Sequence, residues 1–196
     1  MKWLLPLLAY LFGSISSAVV VSRLLGMPDP RTVGSGNPGA TNILRQGRKA
    51  AAATTLLGDM LKGVIPVVIA RLFTPDPAIL ALVAVAAFVG HLFPVFFGFQ
   101  GGKGVATMLG VYWALNPWLG GAITLTWLAM AAGFRYSSLA ALTAALLSPV
   151  FAWIILREPV FVAMSSVIAA LLIWRHRPNI QKLLAGREDK IRLKKV

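Results

Sequence analysis

Three stretches of this sequence combine glycine, amide, hydroxyl and basic side chains in a way that suits the handling of phosphate. The first, GSGNPGATN at 34–42, supplies Ser35, Gly36, Asn37, Thr41 and Asn42, with Arg45 three positions further on. The second, FQGGKGVAT at 99–107, supplies Gly101, Gly102, Lys103, Gly104 and Thr107. The third, RHRPNIQKLLAGRED at 175–189, supplies His176, Asn179 and Glu188 among arginines and lysines. Glycine-rich turns beside helix N-termini aim backbone N–H groups at an anion, and the positive end of the helix dipole adds to the attraction. Arginine then contributes a fork-shaped partner and lysine a point charge. The second stretch is not a Walker A loop, because Gly104 follows Lys103 where a Ser or Thr would hold magnesium. Helix capping explains one or two polar residues of the first stretch. It leaves most of them over.

Two further sites carry ionisable groups in apolar surroundings. Asp59 and Lys62, in LLGDMLKG, are three apart and so share one helical face. Charges at such depth are paired or functional, and an ion pair that fixes helix packing is the favoured reading over direct catalysis. His91, in GHLFPVFFGF, precedes Pro94 and reads as a hydrogen-bonding packing residue. With two histidines and no cluster of carboxylates, neither a catalytic metal nor a cofactor is expected. The absence of cysteine excludes disulfides, thiolate metal sites and a cysteine acyl-enzyme.

The elements that position these residues are membrane helices. Hydrophobic residues make up 58% of the 196 and charged residues 13%, against roughly 45–50% and about 25% in soluble domains. Long apolar runs recur along the chain, which places it among integral membrane proteins. The first run, from Trp3, is longer than the apolar core of a secretory signal and reads as a retained helix. Approximate spans are 3–25, 51–72, 78–98, 104–115, 118–133, 138–156 and 159–174, each bounded by glycine, proline or charge. The region 104–133 is either one long span or two short helices joined by a turn at Pro117.

Charge parity selects the second option. Seven spans with the N-terminus outside leave Lys2, Arg71 and Arg157 outside and Lys62 within a span. Every other lysine and arginine is then cytoplasmic, including the basic tail, as the positive-inside tendency requires. The expectation is an all-α polytopic membrane protein with seven transmembrane helices and a cytoplasmic C-terminus. It forms a single domain over 1–196, with a short basic tail from about 175 lying along the headgroups. The net charge of +13 is explained by cytoplasmic loops meeting anionic lipid, and no nucleic-acid module is visible. This topology also brings all three polar stretches to the cytoplasmic face.

These residues resemble the bacterial acyl-phosphate-dependent glycerol-3-phosphate acyltransferases. GSGNPGATN with Arg45 is similar to that family's first cytoplasmic motif, GHLFPVFFGFQGGKGVAT to its second, and HRPNI followed by LLAGRE to its third. GDMLKG and RYSS also sit where similar segments occur. The last motif departs from the family pattern at Arg187, where a threonine is common. The resemblance implies transfer of a fatty acyl group from acyl-phosphate to the 1-hydroxyl of glycerol 3-phosphate. The products are lysophosphatidic acid and inorganic phosphate, at the cytoplasmic face of the bacterial inner membrane. Implied partners are the two substrates, membrane lipids and, as a candidate contact, an enzyme that forms acyl-phosphate.

On this reading the catalytic candidates are Ser35, His176 and Asn179. Gly36, Asn37, Thr41, Asn42, Arg45, Gly101, Gly102, Lys103, Gly104 and Thr107 are expected to bind substrate or phosphate. Asn37 and Asn42 orient glycerol hydroxyls or donate to the developing oxyanion. Asp59, Lys62, His91 and Glu188 support the site. The attacking hydroxyl needs a proton acceptor, and two stand open: His176, or a phosphate oxygen of a bound substrate, which is preferred. An acyl-enzyme on Ser35 is a third route, with no Ser–His–Asp arrangement behind it. The His-and-Asp pair five residues apart used by another acyltransferase class is absent, since Phe96 and Gln181 stand at those positions. The rival is an organic-phosphate transporter, which polar motifs gathered at one face argue against.

Overall fold

The computed structural model describes residues 2–191; Arg192, Lys194 and Lys195 of the expected basic tail lie outside the described residues. The described residues form helices and connecting turns, with no strand. The chain divides into two compact units, Met1–Leu115 and Asn116–Val196.

The first unit contains α1 (Leu5–Gly13), α2 (Ser17–Leu24), α3 (Ala40–Arg45), α4 (Lys49–Phe73), α5 (Pro77–Leu92) and α6 (Val105–Leu115). The expected first span is broken: α1 and α2 are bent by 42° about Ser14–Ser16. In hydrocarbon every carbonyl freed by such a break needs a partner. Here Lys62 Nζ reaches the Ile15 carbonyl at 2.9 Å, while the Ser14 hydroxyl adds a bond of 2.8 Å to the Tyr10 carbonyl, which already accepts the Ser14 N–H. Asp76 starts α5 by accepting from the Ala78 N–H at 3.0 Å, with Pro77 in the first turn.

Small residues set the helix crossings, as expected where lipid removes any hydrophobic drive between helices. A methyl group at Gly13 would strike the Ala87 carbonyl, and one at Gly90 the Tyr10 carbonyl, so α1 and α5 meet backbone to backbone. Gly63 and Gly110 do the same for α4 and α6, against Thr107 and Met60. Phe88, Leu92, Met108 and Tyr112 fill the interior of this unit.

The second unit contains α7 (Pro117–Phe134), α8 (Ser137–Leu156), α9 (Pro159–Arg175) and α10 (Arg177–Leu184). The question over 104–133 is thus answered: α6 stops at Leu115, and Asn116 caps α7 through its side-chain oxygen on the Trp118 and Leu119 N–H groups. A buried stripe of Ala140, Ala141, Ala144, Ala145, Ser148 and Ala152 lets α8 pack on both α7 and α9. At His176 the chain bends by 62° from α9 into α10.

Among the described residues three helical segments are long and apolar enough to cross a membrane: Pro77–Phe97, Pro117–Phe134 and Ser137–Leu156. Counting each bent pair as one span raises the number to five. Leu7, Leu8, Leu72, Phe73, Leu125, Leu146 and Ile154 are exposed, a pattern suited to lipid.

Candidate active site

Within the first unit the first two polar stretches touch. The loop of 34–42 is braced from inside by Asn42, which is 2% exposed. Its side-chain oxygen accepts from the Ser35 N–H at 3.0 Å, and its nitrogen donates to the Pro30 and Val33 carbonyls at 2.9 and 3.1 Å. A side chain at Gly34 would collide with that amide, and Gly34 has a positive φ of 61°, so glycine is required twice over. Asn42 therefore folds the loop. This differs from its expected place on substrate, because its amide is already committed to backbone. Ser35, Thr41 and Arg45 are exposed around it, and Asn37 is half-buried beside Gly39.

The second loop lies against the end of α5. Gly102 N–H donates to the His91 carbonyl at 3.2 Å, and a side chain at Gly101 would strike the same carbonyl. At Gly102 a side-chain carbon would stand 3.1 Å from the Pro38 carbonyl of the first loop. Gly104, with φ of 83°, passes over the Phe88 ring. Lys103 is half-buried between these two glycines. Thr107 is fully buried and its hydroxyl donates to the Asp59 carbonyl at 2.9 Å, so it ties α6 to α4 and is not placed for substrate.

Beneath the loops lies a buried charged cluster. Lys62 Nζ is 3.0 Å from Asp59 Oδ1, and His91 Nδ1 is 3.6 Å from the same oxygen. The three side chains are nearly sealed from solvent. The expected ion pair on α4 is present, and His91 joins it.

A second ion pair, missed from sequence, joins the loops at their outer edge. Arg31 grips Asp29 through both carboxylate oxygens, at 3.0 and 2.6 Å, and donates to the Phe97 carbonyl at 3.1 Å. The guanidinium hydrogen bond holds the Asp29 carboxyl below the usual carboxylate range and raises Arg31 in turn. Tyr10 adds a bond from its hydroxyl to the Phe93 carbonyl at 2.9 Å. The only local sign was an acid two residues before a base in PDPR.

The second unit carries the third stretch. His176, at the junction of α9 and α10, is 3% exposed, and its Nδ1 lies 2.8 Å from the Leu172 carbonyl. A carbonyl only accepts, so in the neutral ring Nδ1 carries the proton and Nε2 the lone pair. Glu188 Oε1 accepts from Asn179 Nδ2 and from the Ser138 hydroxyl, both at 2.8 Å. Ile191 N–H donates to the Arg135 carbonyl, closing the RYSS corner over the tail. Ser138 is therefore a member of the third cluster that residue types alone did not single out. Arg175 and Arg177 flank the Trp174 ring at 5.8 and 4.7 Å, on the exposed rim.

Comparison with known proteins shows the family. A family model described as glycerol-3-phosphate acyltransferase matches residues 3–186. A glycerol-3-phosphate acyltransferase of Thioalkalivibrio sulfidiphilus is 57% identical over 183 residues, covering 93% of this chain and 90% of that protein. The chain is also similar to crystal structures of PlsY (YgiH), an integral membrane glycerol 3-phosphate acyltransferase. The glycerol 3-phosphate form gives a TM-score of 0.91 at 43% identity, covering 96% of this chain and 94% of the other. The lysophosphatidic acid form gives 0.90 at 42%, with the same coverage. The chain belongs to the glycerol-3-phosphate acyltransferase family of integral membrane proteins.

Proposed function

We propose that this chain transfers a fatty acyl group from acyl-phosphate to the 1-hydroxyl of glycerol 3-phosphate, releasing lysophosphatidic acid and inorganic phosphate. The observation that carries this reading is the junction of two glycine loops at Pro38 and Gly102, with Lys103 next in sequence. Such a junction brings the Lys103 cation to a loop that carries the exposed Ser35 hydroxyl and is followed by the exposed Arg45, groups that suit a phosphate. That PlsY has been solved with glycerol 3-phosphate and with lysophosphatidic acid supports the substrate and product.

In the proposed step the 1-hydroxyl oxygen attacks the acyl carbonyl carbon. The bond from that carbon to the phosphate oxygen breaks, and phosphate leaves with its charge met by Lys103 and Arg45. The hydroxyl proton passes to a phosphate oxygen of bound substrate. Ser35 adds a hydroxyl contact, and Asn37 and Thr41 orient the glycerol. Asn42 and Thr107 hold loop and helix in place. In the second unit His176 presents Nε2 as an acceptor and Asn179 its amide, aligned by Glu188. An acyl-phosphate is already activated, so positioning and electrostatics supply most of the rate.

We assign seven crossings, with the N-terminus outside and the reaction on the cytoplasmic face of a bacterial inner membrane. To the five spans above this adds α4, with 25 residues, and α6, whose 11 residues pack along α4. The two units serve one functional domain. Membrane lipid surrounds it, and an enzyme that forms acyl-phosphate is the candidate contact partner.

The test mixes detergent-purified protein with palmitoyl phosphate and labelled glycerol 3-phosphate. Labelled lysophosphatidic acid with stoichiometric phosphate is expected. No product there, but labelled uptake into sealed vesicles, replaces the enzyme with a transporter. His176→Gln separates the proton acceptors: a loss of about tenfold fits a binding role, whereas a loss beyond about 10³-fold makes His176 the base.

A further inference from the structure

Three contacts converge on His91. Its carbonyl accepts the Gly102 N–H at 3.2 Å. Its ring lies directly against Gly102, so a side-chain carbon there would collide with Nε2. Its other ring nitrogen, Nδ1, stands 3.6 Å from Asp59 Oδ1, which Lys62 holds at 3.0 Å. Asp59 is tied in turn to the helix that follows the loop, because its carbonyl accepts the Thr107 hydroxyl at 2.9 Å. The segment carrying Lys103 is thus clamped by His91 on one side and by Thr107 on the other. Asp59, Lys62 and His91 are 3%, 4% and 6% exposed. Their effect on a ligand runs through what they hold.

We infer that His91 and Asp59 are positioning residues that set the backbone of Gly101, Gly102 and Lys103, and so aim the Lys103 ammonium at phosphate. The inference rests on the acyl-transfer reading above. His91 is the floor on which the loop lies, and Asp59 fixes the ring. Gly102 is glycine because the ring occupies the space a side chain would take. A shift of about 1 Å in a positioned group is enough for a loss near 10²-fold, so a buried ring that never meets substrate can govern turnover.

The experiment compares wild type with His91→Ala, Gly102→Ala and the double variant, purified in detergent. One measurement is acyl transfer from palmitoyl phosphate to labelled glycerol 3-phosphate. The other is backbone amide exchange over 99–107, with 79–88 in α5 as internal control. His91→Ala is expected to lower kcat by about 10- to 100-fold with little change in KM. Exchange over 101–104 should speed up while the control segment is unmoved. Gly102→Ala alone is expected to lose at least as much. In the His91→Ala background the same methyl group enters vacated space, where the Pro38 carbonyl at 3.1 Å need yield only slightly, so the second substitution adds little.

Unchanged kcat and loop exchange in His91→Ala would overturn the inference. So would losses that multiply in the double variant, or faster exchange spread equally over the control segment. If His91→Ala does not accumulate, His91→Asn takes its place in the same comparison. Wild type that makes no lysophosphatidic acid sinks the acyl-transfer reading, and the exchange data still judge whether His91 holds the loop.

Discussion

The two units handle polarity in opposite ways. In the first, charged and hydrogen-bonding groups lie deep among the helices: Lys62 holds both Asp59 and the Ile15 carbonyl, and Thr107 binds α4 from α6. In the second, the helix interiors are mostly small and aliphatic, with the uncharged Ser148 and Ser165 buried among them, and Glu188 collects Ser138 and Asn179 at one end. The contrast separates two costs of building a site in a membrane. A buried network makes function and folding depend on the same atoms, because a lost partner leaves a charge in low dielectric. A rim network can be altered with the helices intact.

Breaking the interior network gives the largest expected effect. Lys62→Met strands the Asp59 carboxylate and the Ile15 carbonyl together, and should destabilise the protein by about 3–5 kcal/mol. The check is the thermal unfolding midpoint in detergent, with yield from membranes. Adding Asp59→Leu should recover part of the loss, because a pair replaced by apolar residues no longer carries an unmatched charge. A double variant as unstable as Lys62→Met alone would count against the contrast.

The rim should respond differently. Glu188→Ala removes the shared acceptor of Ser138 and Asn179, and stability should fall by only about 1–2 kcal/mol. Turnover should fall by about tenfold, because Asn179 loses its alignment. Glu188→Gln keeps an oxygen in place and should retain most of the rate. Equal losses of stability and rate in Glu188→Ala would erase the distinction between rim and interior.

The smallest effect belongs to Asp29 and Arg31, whose side chains are 30% and 21% exposed. The folded Asp29 carboxyl lies below its ordinary value of 3.8, so its contribution is present above that value and is lost as pH falls through the folded one. A pair this open contributes roughly 0.2–1 kcal/mol, reduced further by salt. The Asp29→Asn variant should therefore match wild type in unfolding midpoint at the acid end, once the folded Asp29 carboxyl is protonated. It should fall slightly behind at neutral pH.

Much of this was legible from residue types. Long apolar runs give helices in lipid, glycine-rich turns give loops that approach other backbone closely, and the spacing of Asp59 and Lys62 gives an ion pair on one face. What stayed hidden depends on partners far along the chain. That Thr107 would serve the Asp59 carbonyl, 48 residues away, is a matter of which helices cross. Ser138 and Glu188 are 50 residues apart and meet only when the tail folds back on α8. Asn42 misled for a different reason: an amide suits ligand and backbone equally, and only packing decides. The break at Ser14–Ser16 hid inside a run whose composition is apolar enough to span.

That break sets an order of assembly. The Ile15 carbonyl waits for a lysine that leaves the ribosome 47 residues later. Until α4 threads into place, the first span is a hinge whose midpoint is incomplete. The lysine that completes it is already paired to the carboxylate beneath the second glycine loop, so closing the earliest helix and seating the latest loop of this unit are one event. Translation starts the unit at its N-terminus, but its architecture finishes there.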